Sequence, residues 1–403
     1  MNPRKVVIYF DSPFFSGAEM QAARNATHAA SLGHKVTVVY RDRGDLGTQL
    51  RQRMSGLPIT FLCLTSGDPL HRLGSPRLQE LLREPYDFCS GFLNAVKISE
   101  RTTPDTIHIN NGGYPGSPGA RGFALGSTLF SKAPRILFSV NNLAVPYSQP
   151  MRLVQAPVDK MLSRSRIMWI TASQSAGRRL ARVLGLRHEK LMIIPNGIPT
   201  LKCTCKAKYI QHSFAIEPDS VVAAQIGHLE PRKGHLTLLN AINRLKIAGN
   251  LPSNWKFLLE GEGPSRQLVN DKLEEYGLSA SVALLGRVNC VYHLLSVSDI
   301  LIHPSTSNED LPNVISEAMS LGIPVIGSNV GGIAEQIADE VTGLVVGADD
   351  HVLLSSAILE LMSSQGRRDS MGAMALKRFE TFFSEALAHE AYQEAYFGRE
   401  DSQ

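Results

Sequence analysis

"RKVVIYFDSPFFSGAEMQAARNATHAASLGHKVTVVY", residues 4–40, decides the fold class. Residues 4–10 are a short apolar run rich in β-branched side chains, which reads as a strand. Residues 18–33 follow with a helical pattern closed by Gly33, and 35–40 give a second strand. That is a βαβ unit. Further candidate strands at 105–110, 135–140 and 167–171 alternate with helical or loop segments. Such alternation predicts a parallel sheet covered on both faces by helices.

Residues 193–213 break the pattern with prolines, glycine and polar side chains and read as a linker. A second series then begins, with strands expected at 220–227, 255–261, 281–286, 299–305 and 323–328. Helices are expected after Gly234, over 265–276 and around Glu317. The fold class is therefore α/β, with two Rossmann-like domains facing across a cleft, at 1–200 and 215–380. Ligands of such sheets bind beyond the carboxyl ends of the strands, so chemistry is expected in those loops. Residues 366–397 read as an amphipathic packing helix, and the C-terminal segment from about 380 to 403 is expected to pack back on the first domain.

A chain of 403 residues is longer than one ordinary core supports, in agreement with two domains. Hydrophobic residues make up 43% and charged residues 19%, the balance of a soluble globular protein. No apolar run is long enough to cross a bilayer, and "MNPRK" leads straight into a strand, which argues against a cleaved signal peptide. The five cysteines are irregularly spaced and read as reduced thiols of a cytoplasmic protein. Cys203 and Cys205 form a lone C-x-C, read as surface linker rather than a metal site.

The net charge of +4 conceals an asymmetry. Residues 1–200 hold 25 Lys and Arg against 12 Asp and Glu, while the remainder holds 16 against 25. The basic half suits an anionic acceptor or peripheral contact with an acidic membrane surface; a merely solvated basic surface is the alternative. No nucleic-acid-binding motif accompanies the charge.

Three turns carry candidate chemistry. "DSPFFSGAEM" (11–20) puts Gly17 between a strand and a helix, where backbone can approach an anion closely. "IGHLEPRKGH" (226–235) adds Arg232 and Lys233 at a similar turn, a pairing that suits a diphosphate. "SDILIHPSTSNEDLPNVISEAM" (298–319) reads as a strand, a polar loop holding Glu309, and a helix holding Glu317. Pro312 suits the first turn of that helix. Each carboxylate can accept two hydrogen bonds from vicinal hydroxyls of a sugar or ribose, although paired helical glutamates often form only a solvated face.

These segments, with "SGAEM" (16–20), "IPNGI" (194–198), "LLEGEGP" (258–264), "LLGRV" (284–288) and "EDLPNVISEAMSLGIPVIGSNVGGIAE" (309–335), resemble the GT-B glycosyltransferases of retaining family 4 over nearly the whole chain. The resemblance implies transfer of a sugar from a nucleotide-diphosphate donor, commonly UDP-linked, to a polar, lipid-linked or anionic hydroxyl acceptor. It implies retention of configuration with no required metal and no cofactor beyond the nucleotide sugar. Glu317 is then expected at the donor ribose, Glu309 at the donor sugar, and Lys233 with Arg232 at the diphosphate. Backbone N–H groups near Asn313 and Val314 would assist, and Leu285 to Val288 would lie by the base. His228, Gly261, Arg287 and Leu311 complete the implied donor set, and Gly17 would bring the first loop of the N-terminal domain to the phosphates. "NNGGYPGSPGARG" (110–122) occupies the implied acceptor region, either as binding loop or as plain connection. Its candidates are Asn110, Asn111 and Gly112, with His108 and Asn141.

The chain departs from the family pattern in four places. His228 stands where Arg is frequent, Asn141 and Asn110 stand where His is common, and the first loop has one glycine, Gly17, instead of two. Asparagine cannot act as a general base. These departures keep open a catalytically silent nucleotide-sugar-binding homologue or partner subunit; a GT-B nucleotide-sugar epimerase is the lesser alternative, since Glu309 and Glu317 with "GSNVGGIAE" (327–335) argue against it.

Overall fold

A computed structural model describes residues 2–12, 15–41, 44–64, 75–133, 135–146, 151–200, 216–288 and 290–398. The chain divides into two compact units, one taking in Met1–Gly197 and Ala386–Gln403, the other Ile198–Glu385. Among the described residues no helix is long and apolar enough to cross a membrane.

The first unit holds a seven-stranded parallel sheet. Its strands are β1 (Lys5–Phe10), β2 (Lys35–Arg41), β3 (Ile59–Leu64), β4 (Thr106–Asn111), β5 (Arg135–Val140), β6 (Ile167–Thr171) and β7 (Leu191–Ile193), in the order β3-β2-β1-β4-β5-β6-β7. Side chains alternate faces along a strand, and β1 shows the consequence. Val7 and Tyr9 join Ile107, Ile109 and Phe123 in one core, while Val6, Ile8 and Phe10 join Ala22, Ala26 and Ala29 in another. The sheet is buried on both faces, as all-parallel sheets require. Helix Gly17–Ser31 packs through alanines, whose small side chains allow close approach.

The second unit holds a six-stranded parallel sheet. Its strands are β8 (Val221–Ile226), β9 (Trp255–Glu260), β10 (Val282–Gly286), β11 (Ile300–His303), β12 (Val325–Ser328) and β13 (Gly343–Val346), in the order β10-β9-β8-β11-β12-β13. In both sheets the order reverses between two neighbouring strands, β1/β4 and β8/β11. Loops beyond the carboxyl ends of such strands diverge and leave a crevice, which is where α/β sheets bind ligands.

Three strands went unforeseen, and each has a weak signature. β7 and β13 have three and four residues and lie at sheet edges, and β3 is an edge strand that is mostly only half-buried. The single C-terminal helix expected over 366–397 is two helices, Gln365–Phe382 and Glu385–Phe397. Between them Ile198 N donates to Phe383 O and Glu385 N donates to Ile198 O, both at 2.9 Å, drawing the backbone out of helical geometry. Within the first unit, Tyr392 and Tyr396 of the last helix fill the core beside Ile8 and Leu137. Most of the linker expected at 193–213, with Cys203 and Cys205, lies outside the described residues.

Candidate active site

The second unit gathers three of the expected residues at its β8/β11 switch. Arg232 and Lys233 lie in the turn after β8, and Glu309 lies in the loop after β11. Arg232 Nη1 donates to Glu309 Oε1 at 2.8 Å, and Lys233 Nζ donates to the same oxygen. Ser305 Oγ is a third donor to that oxygen, at 3.1 Å, and also lies 3.2 Å from His303 Nε2. Glu309 is 7% exposed, so this carboxylate is surrounded by protein donors rather than water. Burial pushes its carboxyl upward, but His303 and Lys233 outweigh burial and hold it well below the ordinary carboxylate range. Glu309 is therefore a fixed anion at neutral pH, unable to act as a proton donor.

Local backbone chemistry explains how the two loops meet. Gly234 has φ +70°, and a Cβ there would stand 2.0 Å from the carbonyl oxygen of Pro304. Only glycine admits that backbone at that distance. Thr306 N donates to Arg232 O at 2.7 Å, a second tie between the loops. On the other side Gly261, at φ +138°, would place a Cβ 2.0 Å from Gly227 O, so the turn after β9 also packs directly on the turn after β8. Glu230 pairs with Arg232 at 2.7 Å and keeps its guanidinium over the loop.

The remaining donor candidates surround this centre less directly. His228 and Arg287 are exposed; Leu311 is buried; Asn313, Val314 and Val288 are half-buried. Helix Asn313–Ser320 begins one residue after Pro312 and carries the half-buried Glu317. A helix start presents N–H groups that the helix itself does not use, and its dipole favours an anion there. Val288 N donates to Glu260 Oε1 at 3.2 Å, so the carboxylate ending β9 holds the segment after β10. Burial raises the Glu260 carboxyl, while that bond and Arg287 oppose the rise.

Ser305, His303, Glu230 and Glu260 were not anticipated from the sequence. The signal for the first two is their position, within two residues of the end of a buried strand that carries the site. His235 was also missed. It is 2% exposed, and neither ring nitrogen has a hydrogen-bond partner among the described residues. Burial, then the charges of His303, Lys233 and His228, lower its pKa to about 4.

In the first unit the acceptor candidates divide. Asn141 Nδ2 donates to Asn110 Oδ1 and to Asn111 O, both at 2.9 Å, and Asn110 Nδ2 reaches Glu19 Oε1 at 3.5 Å. Glu19 is buried and accepts from Ser16 N at 3.0 Å, fixing the start of the helix headed by Gly17, which is exposed. Gly112 is exposed, and Asn111 is buried with its side chain turned onto Gly113 O and Ser117 N. His108 is not at this surface. It is fully buried, with Nδ1 2.8 Å from Tyr396 OH and Nε2 2.6 Å from Ser139 Oγ, and burial lowers its pKa to about 3. It faces sideways into the core because alternate residues of β4 point to opposite faces, and its even-numbered position puts it against the last helix.

Two of the buried histidines, His108 and His235, make stability pH-dependent. Both pKa values are depressed on folding, so their contribution is complete above the unfolded value of about 6.5 and is lost as pH falls. At pH 5 each costs roughly 2 kcal/mol relative to pH 7. The thermal midpoint is expected to fall steadily from pH 6.5 to pH 5, and a flat profile in that window contradicts the burial of these neutral rings.

Comparison with known proteins gives matches along most of the chain. The family model described as Glycosyltransferase Family 4 matches residues 15–201, and that described as Glycosyl transferases group 1 matches residues 208–378. A lipopolysaccharide core biosynthesis glycosyltransferase, LpsD of Rhizobium meliloti, is 29% identical over 178 residues, 44% of this chain and 50% of that protein. The UDP-Gal:alpha-D-GlcNAc-diphosphoundecaprenol alpha-1,3-galactosyltransferase of Escherichia coli is 30% identical over 168 residues, 40% of this chain and 42% of that protein. The chain thus spans about half the length of the curated relatives it matches. Among solved structures, Anabaena Alr3699/HepE in complex with UDP has a TM-score of 0.77 at 18% identity, covering 97% of this chain and 98% of that one. A glycosyltransferase from Rickettsia africae ESF-5 has a TM-score of 0.78 at 17% identity, covering 98% of both chains. At such identities the likeness establishes the fold, GT-B.

Proposed function

The chain belongs to glycosyltransferase family 4, and from that premise we propose that it transfers a sugar, with retention of configuration, from a nucleotide-diphosphate donor to a hydroxyl acceptor. UDP is the proposed nucleotide, supported by the UDP named for relatives and fold neighbours. The observation that carries the reading is the convergence of Glu309, Lys233 and Arg232 at the β8/β11 switch.

The arrangement suits the charge changes of glycosyl transfer. As the bond from the sugar's anomeric carbon to the phosphate oxygen breaks, positive charge grows on the sugar and negative charge on the leaving diphosphate. Glu309 supplies a preorganised anion for the first. Lys233 and Arg232, with the start of helix Asn313–Ser320, supply positive charge for the second, so no metal is required in this reading. Glu317 grips the ribose hydroxyls. The acceptor oxygen bonds to the anomeric carbon and gives its proton to the leaving phosphate. That route needs no protein base, in keeping with the amides of Asn110 and Asn141 on the acceptor side.

The acceptor is proposed to be polar or lipid-linked, a class supported by the diphosphoundecaprenol substrate named for the Escherichia coli relative. Catalysis in the cytoplasm, with peripheral contact to an anionic surface through the basic N-terminal half, completes the proposal.

Retention is read directly by NMR of the product linkage. An α-linked nucleotide sugar is expected to give an α-linked product, at a rate unchanged by a metal chelator. A β-linked product removes the retaining assignment, and loss of rate with chelator removes metal independence.

A further inference from the structure

Away from the turns after β8 and β11, the first unit contains a cavity of about 820 Å³. It lies between helices Met151–Arg164 and Gln174–Leu184, and its floor is the turn that leads to β7. None of its walls comes from the loops after β1 or β4.

Its lining is cationic. Lys160, Arg164, Arg182, Arg187 and Lys190 face it with only two carboxylates, Asp159 and Glu189. Asp159 is already taken by Tyr114 OH, and Lys190 Nζ is engaged with the carbonyl oxygens of Ser163 and Ser165. Among the described residues, Lys160, Arg164, Arg182 and Arg187 make no ion pair. Helix ends account for part of this, since Arg164 and Arg182 lie in last turns, where a cation is favoured. They do not account for Arg187, which precedes the turn, nor for four unpaired cations converging on one concavity.

We propose that this groove is a second anion site, taking a ligand that carries two or more phosphate groups. Guanidinium groups match phosphate oxygens in bidentate pairs, and several of them around one cavity compensate more charge than a single phosphate carries. The volume lies in the range of small-molecule sites. A phosphorylated lipid headgroup and a free polyphosphate present the same chemistry. The site stands independently of the donor reading, and the test removes the donor site first.

Tripolyphosphate is titrated by calorimetry into full-length Lys233→Ala protein, with and without Arg164→Gln/Arg187→Gln. Lys35→Gln/Lys97→Gln removes equal charge from exposed positions outside the groove and serves as control. Binding is expected in Lys233→Ala protein, weakened at least tenfold by the groove pair and less than twofold by the control. Absence of binding, or equal loss in both pairs, overturns the proposal. Sedimentation of the same variants with phosphatidylglycerol vesicles separates the sources. Vesicle binding that needs Arg164 and Arg187 identifies a lipid headgroup, and tripolyphosphate binding without vesicle binding identifies a soluble polyphosphate; each supports the site.

Discussion

Glu309→Gln is expected to lower kcat by roughly two to three orders of magnitude while nucleotide affinity stays within about threefold. The substitution keeps size and most hydrogen-bonding capacity and removes only the charge. In the native protein Oε1 collects Arg232, Lys233 and Ser305, so the carboxylate is held with little freedom to reorganise. Fixed charges of that kind act most strongly where charge develops in the transition state, in a site shielded from water. Neutralising Glu309 frees Lys233 of its carboxylate while Arg232 keeps Glu230, and both cations remain able to hold a diphosphate at least as well as before. Turnover and binding therefore separate. A Glu309→Gln enzyme with native kcat contradicts the role assigned to this carboxylate, and parallel loss of both quantities shows that it binds nucleotide instead.

Gly234→Ala is expected to cost at least ~3 kcal/mol of stability in the second unit and most of the activity. Two penalties combine. An L-residue at φ +70° is strained, and the added methyl would stand 2.0 Å from Pro304 O, a backbone atom that cannot swing aside. Relief requires the turn bearing Arg232 and Lys233 to move away from the loop bearing Glu309. Denaturant unfolding measures the stability loss, and Lys233-dependent donor binding measures the displacement. Native values for both would show that the two loops do not depend on their close contact.

Much of this architecture is legible in the residues themselves. The apolar runs beginning at Val6, Val36, Val222 and Phe257 are buried on both faces, and a central parallel strand has no polar face to disguise it. Edge strands lack that pressure, which is why β3, β7 and β13 leave little trace. Glu309, Lys233 and Arg232 announced themselves through residue type at the carboxyl ends of strands. Their contact through one oxygen did not, because it depends on how the two loops pack. His108 illustrates the opposite case. A histidine near an expected acceptor loop looks functional in sequence, yet the alternation of β4 turns it toward Tyr396 and the core. The break between the last two helices depends on Ile198, almost two hundred residues away, and no local pattern records it.

The central claim, that the second unit holds a nucleotide-sugar donor through Glu317 and the Lys233 turn, is tested most directly by calorimetric titration of UDP-sugars into native and Glu317→Ala protein. Native protein is expected to bind at least one UDP-sugar with a one-to-one stoichiometry. Glu317→Ala is expected to weaken that binding about tenfold to a hundredfold, the loss of one or two charge-assisted hydrogen bonds. Equal affinity in the two proteins, or no binding of any nucleotide sugar by the native chain, contradicts it.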